Sequence, residues 1–391
     1  MKDFLNQRVK DLKPSGIRKF FDIVSEMKGA ISLGVGEPDF ITPWHIRNAA
    51  IRSVQRGYTQ YTGNRGIPKL RELISRYLFE RFSVSYPADN VIVTVGASEG
   101  IDLVLRAICE VGDDILVPEP SYVSYFPCVH LSGANAVPVK CVRENGFIVT
   151  PEMLEGSITP RTKAIILPYP NNPTGGIMTK EQLEAIVPVI VKHDLLVISD
   201  EIYAELTYGG KHVSVASFEG MRERTVLISG FSKAFAMTGW RIGFVCAPPE
   251  IDKALFKIHQ YVIMCAPTNS QYAAIEALEE GFTDNFSVVE TMRAEYDKRR
   301  RFMVDFFNGC GLRCFEPRGA FYVFPSVESL QTDGEAFANG LLRAEKVAVV
   351  PGNAFGDAGR FHVRCSYATS MANLSEAASR IGKYLDQVKK G

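Results

Sequence analysis

Short apolar runs alternate with longer amphipathic stretches through the middle of the chain. The runs occupy 91–95, 115–117, 136–139, 164–167, 195–199, 225–229 and 243–246. Runs that are apolar on both faces and rich in β-branched residues predict strands of a mostly parallel sheet covered on both sides. The stretches 98–109 and 180–192 carry helical spacing and supply crossovers, the second opening after Thr179 as an N-cap. Together they predict a large α/β domain.

From about residue 291 the pattern changes. A charged helix begins at Met292, and strands are expected at 320–324, 348–350 and 361–365, with helices between and after them. Few strands among helices predict a smaller α+β domain. The basic run 298–301 reads as a solvated helix face, diluted by Glu295 and Asp297, and not as a nucleic-acid patch.

A chain of 391 residues is too long for one ordinary core and fits two domains or one large α/β unit with an appendage, which 46% hydrophobic residues suffice to bury. Lys plus Arg equals Asp plus Glu at 44 each, so the net charge of +0 provides no field to draw in nucleic acid or an anionic membrane. The N-terminus lacks the apolar core of a leader, and no apolar stretch is long enough to span a bilayer, so a cytoplasmic protein is expected. The eight cysteines are scattered except for Cys310 and Cys314, and no second pair or nearby histidine completes a metal site. They read as thiols in a reducing compartment, and no metal is expected.

The candidate chemistry centres on Lys233, within Ser229-Gly-Phe-Ser-Lys-Ala-Phe-Ala-Met-Thr-Gly-Trp-Arg-Ile-Gly243. A lysine amine attacks carbonyls only when neutral, a state that burial and neighbouring cations favour. A lysine at a strand end, with Arg241 a short way on, suits a Schiff base to pyridoxal phosphate beside a phosphate-binding guanidinium. Asp200 ends another buried run, where open α/β sheets bind ligands; on its own it also reads as a cap or turn residue. The small-residue turn 94–100 joins strand to helix as an anion site, and it is neither a Walker A loop nor a dinucleotide fingerprint. The Pro- and Gly-dense segment 167–176 marks a rigid turn, which leaves Asn172 unexplained. Arg364 carries a guanidinium suited to a bidentate grip on a carboxylate, or to a surface ion pair.

These motifs resemble, over the whole chain, the class I and II aminotransferases, the aspartate aminotransferase family of fold-type I pyridoxal-phosphate enzymes. The look is that of the bacterial and archaeal branch holding aromatic, aspartate and N-acetyl-diaminopimelate aminotransferases. The resemblance implies a mostly parallel central sheet flanked by helices and a small domain built from both chain ends. The expected division is 1–42 and 291–391 for the small domain and 43–290 for the large one. It also implies roles for named residues. Lys233 is the Schiff-base lysine and proton shuttle, Asp200 the partner of the pyridine nitrogen, and Tyr203 and Asn172 the hydrogen-bond partners of the phenolic oxygen. Tyr122 stacks on the ring. Gly96, Ala97 and Ser98 offer amides to the phosphate, with Arg241 and with Ser232 rather than Ser229; Gly230 stands where many relatives have serine. Arg364, Asn172 and the Gly36 amide hold the substrate carboxylate, and Tyr61 reaches the phosphate of the partner in a homodimer. The implied reaction passes an amino group from an L-amino acid to a 2-oxo acid, 2-oxoglutarate being the expected acceptor, with ping-pong kinetics. A C–S β-lyase on the same fold and a non-catalytic cofactor-binding regulator are the alternatives.

Overall fold

The computed structural model describes residues 2–12, 27 and 29–390, so part of the expected N-terminal segment 1–42 lies outside the described residues. Its strands are β1 (Ile31–Ser32), β2 (Val91–Thr94), β3 (Asp114–Glu119), β4 (Asn135–Lys140), β5 (Thr162–Leu167), β6 (Leu196–Asp200), β7 (Thr225–Gly230), β8 (Gly243–Cys246), β9 (Tyr322–Val323), β10 (Val347–Ala348), β11 (Val350–Pro351) and β12 (Val363–Ser366). A seven-stranded sheet has the order β2-β8-β7-β6-β5-β3-β4. Only β8 is reversed, pairing antiparallel with both β2 and β7, so the remaining strands end at one common edge.

Alternation along each central strand explains its burial. Ala164 and Ile166 of β5 pack into the core that holds Leu103 and Val104 of the helix Gly96–Ile108, whereas Ile165 and Leu167 join Ile186 and Ile190 of Lys180–Lys192. Each such leucine, isoleucine or valine side chain, fully buried, contributes about 1.5–3 kcal/mol. The helix Lys180–Lys192 starts at a capping box, with Thr179 and Gln182 each bonded to the other's backbone N–H. β4 departs from the expectation of a run covered on both faces. It is the edge strand, and of its residues only Val139 is buried.

A separate core joins Leu33 to residues of the last third of the chain, among them Met303, Phe321, Tyr322, Val363 and Ile381. The helix Ser287–Gly309 runs from one core to the other, with Val289 in the sheet core and Met292 and Tyr296 in the second. The strands here are shorter than expected. Of 320–324 only β9 pairs, and 348–350 is divided at Val349 between β10, paired with β1, and β11, paired with β12. The basic run also differs from its expected solvated face. Arg299 and Arg300 are buried, Arg299 donating twice to Asp39 at 2.8 Å and Arg300 to Glu316 at 2.7 Å and Asp297 at 2.8 Å. A buried guanidinium needs such partners to offset lost hydration.

Gly230 and Gly243 face each other at the common edge. A Cβ on Gly230 would stand 2.8 Å from the Gly243 Cα, and one on Gly243 would stand 2.8 Å from the Ala97 nitrogen. Backbone on both sides cannot yield as a flexible side chain can, which accounts for glycine instead of serine at 230. Gly230→Ala and Gly243→Ala should therefore each cost about 1–3 kcal/mol of folding stability, read by denaturant unfolding. Unchanged midpoints would contradict this packing.

Candidate active site

The site forms where the common edge of the sheet meets the second core. β6 ends on Asp200, β7 leads through Gly230 to Ser232 and Lys233, β2 leads into Gly96, and β5 leads to Asn172. The reversed β8 begins at this edge, so Arg241, two residues before its first residue, arrives there too. A cavity of about 730 Å³ is lined by Gly36, Ala97, Ser98, Tyr122, Asn172, Asp200, Tyr203, Ser232, Lys233, Arg241 and Arg364. Of the other expected residues, Gly96 lies behind this wall, and Tyr61 stands outside it, 79% exposed.

Gly96 opens the helix Gly96–Ile108 with φ +71, and a Cβ there would stand 2.6 Å from Arg241 Nη2. Glycine therefore lets the guanidinium lie against the helix N-terminus, whose free amides and dipole attract anions. Arg241 is itself in the left-handed region at φ +50, with its Nη1 donating to the Thr238 carbonyl at 2.9 Å. Glu99 steadies the turn by accepting from the Val95 amide, and it meets His259 Nδ1 at 2.6 Å. His259 Nε2 lies 2.8 Å from the Asn64 carbonyl, which only accepts, so that nitrogen carries a proton. Ser232 faces the cavity, whereas Ser229 Oγ donates to the Glu201 carbonyl at 3.2 Å.

Lys233 Nζ donates to the Gly36 carbonyl at 2.7 Å. Its pKa falls from 10.5 to about 8: burial is the main cause, Glu37 opposes it, Arg364 and Arg241 add to it, and Asp200 opposes. Asp200 is buried, which raises its pKa, while hydrogen bonds from Tyr125 Oη at 2.7 Å and the Ile202 amide at 3.2 Å act the other way. Arg364 donates from Nη1 to Asn172 Oδ1 at 2.8 Å and from Nη2 to the Gly34 carbonyl at 2.6 Å. Its guanidinium lies between the rings of Tyr322, 4.4 Å away, and Phe355, 4.9 Å away. Among the described residues Arg364 Nε is buried without a hydrogen-bond partner, a donor left over for a ligand.

Sequence reasoning missed Tyr125, Tyr322, Phe355 and Glu37, all of which line the cavity. Tyr125 stood within the motif that supplied Tyr122, three residues on, and its ring meets that of Tyr122 edge-on at 5.6 Å. The donor set fits pyridoxal phosphate: an amine for the aldehyde carbon, a buried carboxylate for the ring nitrogen, and a helix N-terminus with a guanidinium for the phosphate. A fold with a covered, mostly parallel sheet and this cavity at its edge defines a pyridoxal-phosphate enzyme of fold-type I.

Comparison with known proteins agrees. The model of the family "Aminotransferase class I and II" matches residues 28–381. The aspartate aminotransferase of Pyrococcus abyssi is 43% identical over 387 residues, covering 98% of this chain and 99% of that protein. Aromatic-amino-acid aminotransferase 2 of Thermococcus litoralis is 41% identical, with the same coverage of both chains. The structure of Thermus thermophilus aspartate aminotransferase with maleate superposes with a TM-score of 0.93 at 38% identity, covering 98% of this chain and 100% of that one. The chain belongs to the class I and II aminotransferases and is a pyridoxal-phosphate-dependent enzyme of the aspartate aminotransferase family.

In cofactor-free protein the Lys233 amine should lose its proton through about pH 8. Labelling of Lys233 by an amine-reactive acylating reagent, followed by peptide mapping, should level off above about pH 8 and fall about tenfold per pH unit below it, since only the neutral amine reacts. A Lys233 labelling rate that still climbed about tenfold per pH unit well above pH 8 would contradict the lowered pKa.

Proposed function

We propose that this enzyme passes the amino group of an L-amino acid to a 2-oxo acid, with 2-oxoglutarate as the usual acceptor, in ping-pong order. The observation that carries this reading is the placement of a low-pKa amine, Lys233, inside the cavity that also holds Asp200 and the carboxylate-ready Arg364. Bound pyridoxal phosphate supplies an electron-accepting ring that makes the Cα proton of an amino acid acidic. Lys233 Nζ takes that proton and carries it across the site. Asp200 keeps the pyridine nitrogen protonated, so that the ring can accept charge. Tyr203 and Asn172 donate to the phenolic oxygen, and Tyr122 covers the ring face. The amides of Gly96, Ala97 and Ser98, with Ser232 and Arg241, hold the phosphate.

Arg364, Asn172 and the Gly36 amide orient the substrate carboxylate, fixing which Cα bond lies ready to break. One carboxylate clamp serves both substrates, so the first oxo acid leaves before the second enters. The maleate held by the Thermus thermophilus relative supports a dicarboxylic acceptor.

The active unit we propose is a homodimer with Tyr61 reaching the partner's phosphate. In support, the loop bearing exposed Tyr61 lies against the segment of exposed Tyr261 and Met264, through bonds from Thr268 to the Gln60 carbonyl and from Asn64 to the Met264 carbonyl. The division at 42/43 and 290/291 is our reading of the domains, and the free cysteines support a cytoplasmic site.

Asp200→Ala should lower turnover on the order of 10²-fold or more while cofactor still binds weakly; near-normal turnover would remove Asp200 from the site. Arg364→Ala should weaken aromatic, acidic and aliphatic donors alike, by about 2–5 kcal/mol in kcat/KM, with Arg364→Lys recovering only part. A loss confined to acidic donors would mean that Arg364 reads a distal carboxylate.

A further inference from the structure

Tyr322 is buried on β9, at the register position opposite Ser366, and its side chain reaches the cavity wall. Three parts of the site meet it. Its ring lies under the Arg364 guanidinium, and its hydroxyl is 2.7 Å from where a Cβ on Gly36 would stand. That hydroxyl is also 2.8 Å from the Tyr203 hydroxyl.

We propose that Tyr322 is a positioning residue for Tyr203: its hydroxyl donates to the Tyr203 oxygen and so directs the Tyr203 proton into the cavity. The inference rests on the reading of Tyr203 as donor to the phenolic oxygen of the cofactor. Two hydroxyls at this distance share one proton along the line between them, and either can donate. If Tyr203 donated to Tyr322, its proton would be spent within the wall. An anionic oxygen facing Tyr203 reverses that choice, so that Tyr203 donates into the cavity while it accepts from Tyr322.

Among the described residues Tyr203 is the hydrogen-bond partner found for the Tyr322 hydroxyl, so no other acceptor competes. Burial raises the pKa of both phenols and the Arg364 cation opposes it for both, but the guanidinium lies on the Tyr322 ring face, 4.4 Å from its centre. A donor chain polarises along its length, so Tyr322 strengthens the bond that Tyr203 makes. The same contact ties the carboxylate clamp to the phenolic-oxygen end of the site, because neutralising Arg364 weakens the pull on Tyr322.

The test is the pH titration of the visible absorption of the cofactor-loaded protein in wild type, Tyr203→Phe, Tyr322→Phe and the double variant. Donation to the phenolic oxygen stabilises its anionic form, so weakening the donor moves the titration midpoint up. Tyr322→Phe keeps the ring against Arg364 and should raise the midpoint by about 0.4–1 pH unit, the worth of one ordinary hydrogen bond. In the Tyr203→Phe background it should have no further effect. The KM of the amino donor should hold while kcat falls, because the face presented to Arg364 is kept.

An unmoved midpoint in Tyr322→Phe, or a shift that adds in full to that of Tyr203→Phe, would overturn the proposal. Thermal unfolding of Tyr322→Phe separates a packing loss, which lowers the melting temperature and leaves the midpoint in place, and that result also counts against it. Should Tyr203→Phe leave the midpoint unmoved, the assignment of Tyr203 fails and the inference with it, while the roles of Lys233 and Asp200 stand.

Discussion

One edge of one sheet collects the chemistry. Strands that run the same way must end together, and the residues just past each end are thereby brought within a side chain's length of those past the others. β6 delivers Asp200, β7 delivers Lys233, β5 delivers Asn172 and β2 delivers the helix turn at Gly96. The reversal of β8 is what adds Arg241 to the set, because a strand that begins at the edge contributes the residues leading into it. The glycines Gly96, Gly230 and Gly243 are the cost of crowding five chain segments there, each at a point where a Cβ would strike backbone or the Arg241 guanidinium.

Burial then sets the electrostatics. Taking an amine and a carboxylate out of water moves both toward their neutral forms, and the Lys233 amine and the Asp200 carboxyl show these directions. Arg364 and Arg241 reinforce the effect on the lysine. A ligand carrying a protonated ring nitrogen would give Asp200 the counter-charge that the protein withholds. The helix N-terminus and Arg241 would do the same for a phosphate, so a cofactor carrying both groups would complete a charge arrangement that the protein alone leaves unbalanced.

Much of this was legible in the residues. Strands buried on both faces announce themselves as continuous apolar runs, and the residues next to their ends, Asp200 and Lys233, could be picked out because the chain is continuous there. Contacts made across the fold could not. Arg299 looks like part of a solvated basic run, yet its partner Asp39 lies 260 residues away, and only packing brings them together. Tyr322 reads as one aromatic in an apolar strand; its hydroxyl gains meaning from Tyr203, 119 residues earlier in the chain. The run 348–350 hides its division because strand propensity does not say which sheet each residue will join. β4 carries a run resembling its neighbours and differs from them only in lying at the edge.

Every other role in the site depends on Lys233 being the residue that holds the cofactor. Borohydride reduction of the cofactor-loaded protein, followed by proteolysis and mass mapping, fixes the attachment point covalently. The pyridoxyl label is predicted on Lys233 in the peptide between Gly230 and Arg241, with no label taken up by Lys233→Ala. Label on any other lysine, or undiminished labelling of that variant, would contradict it.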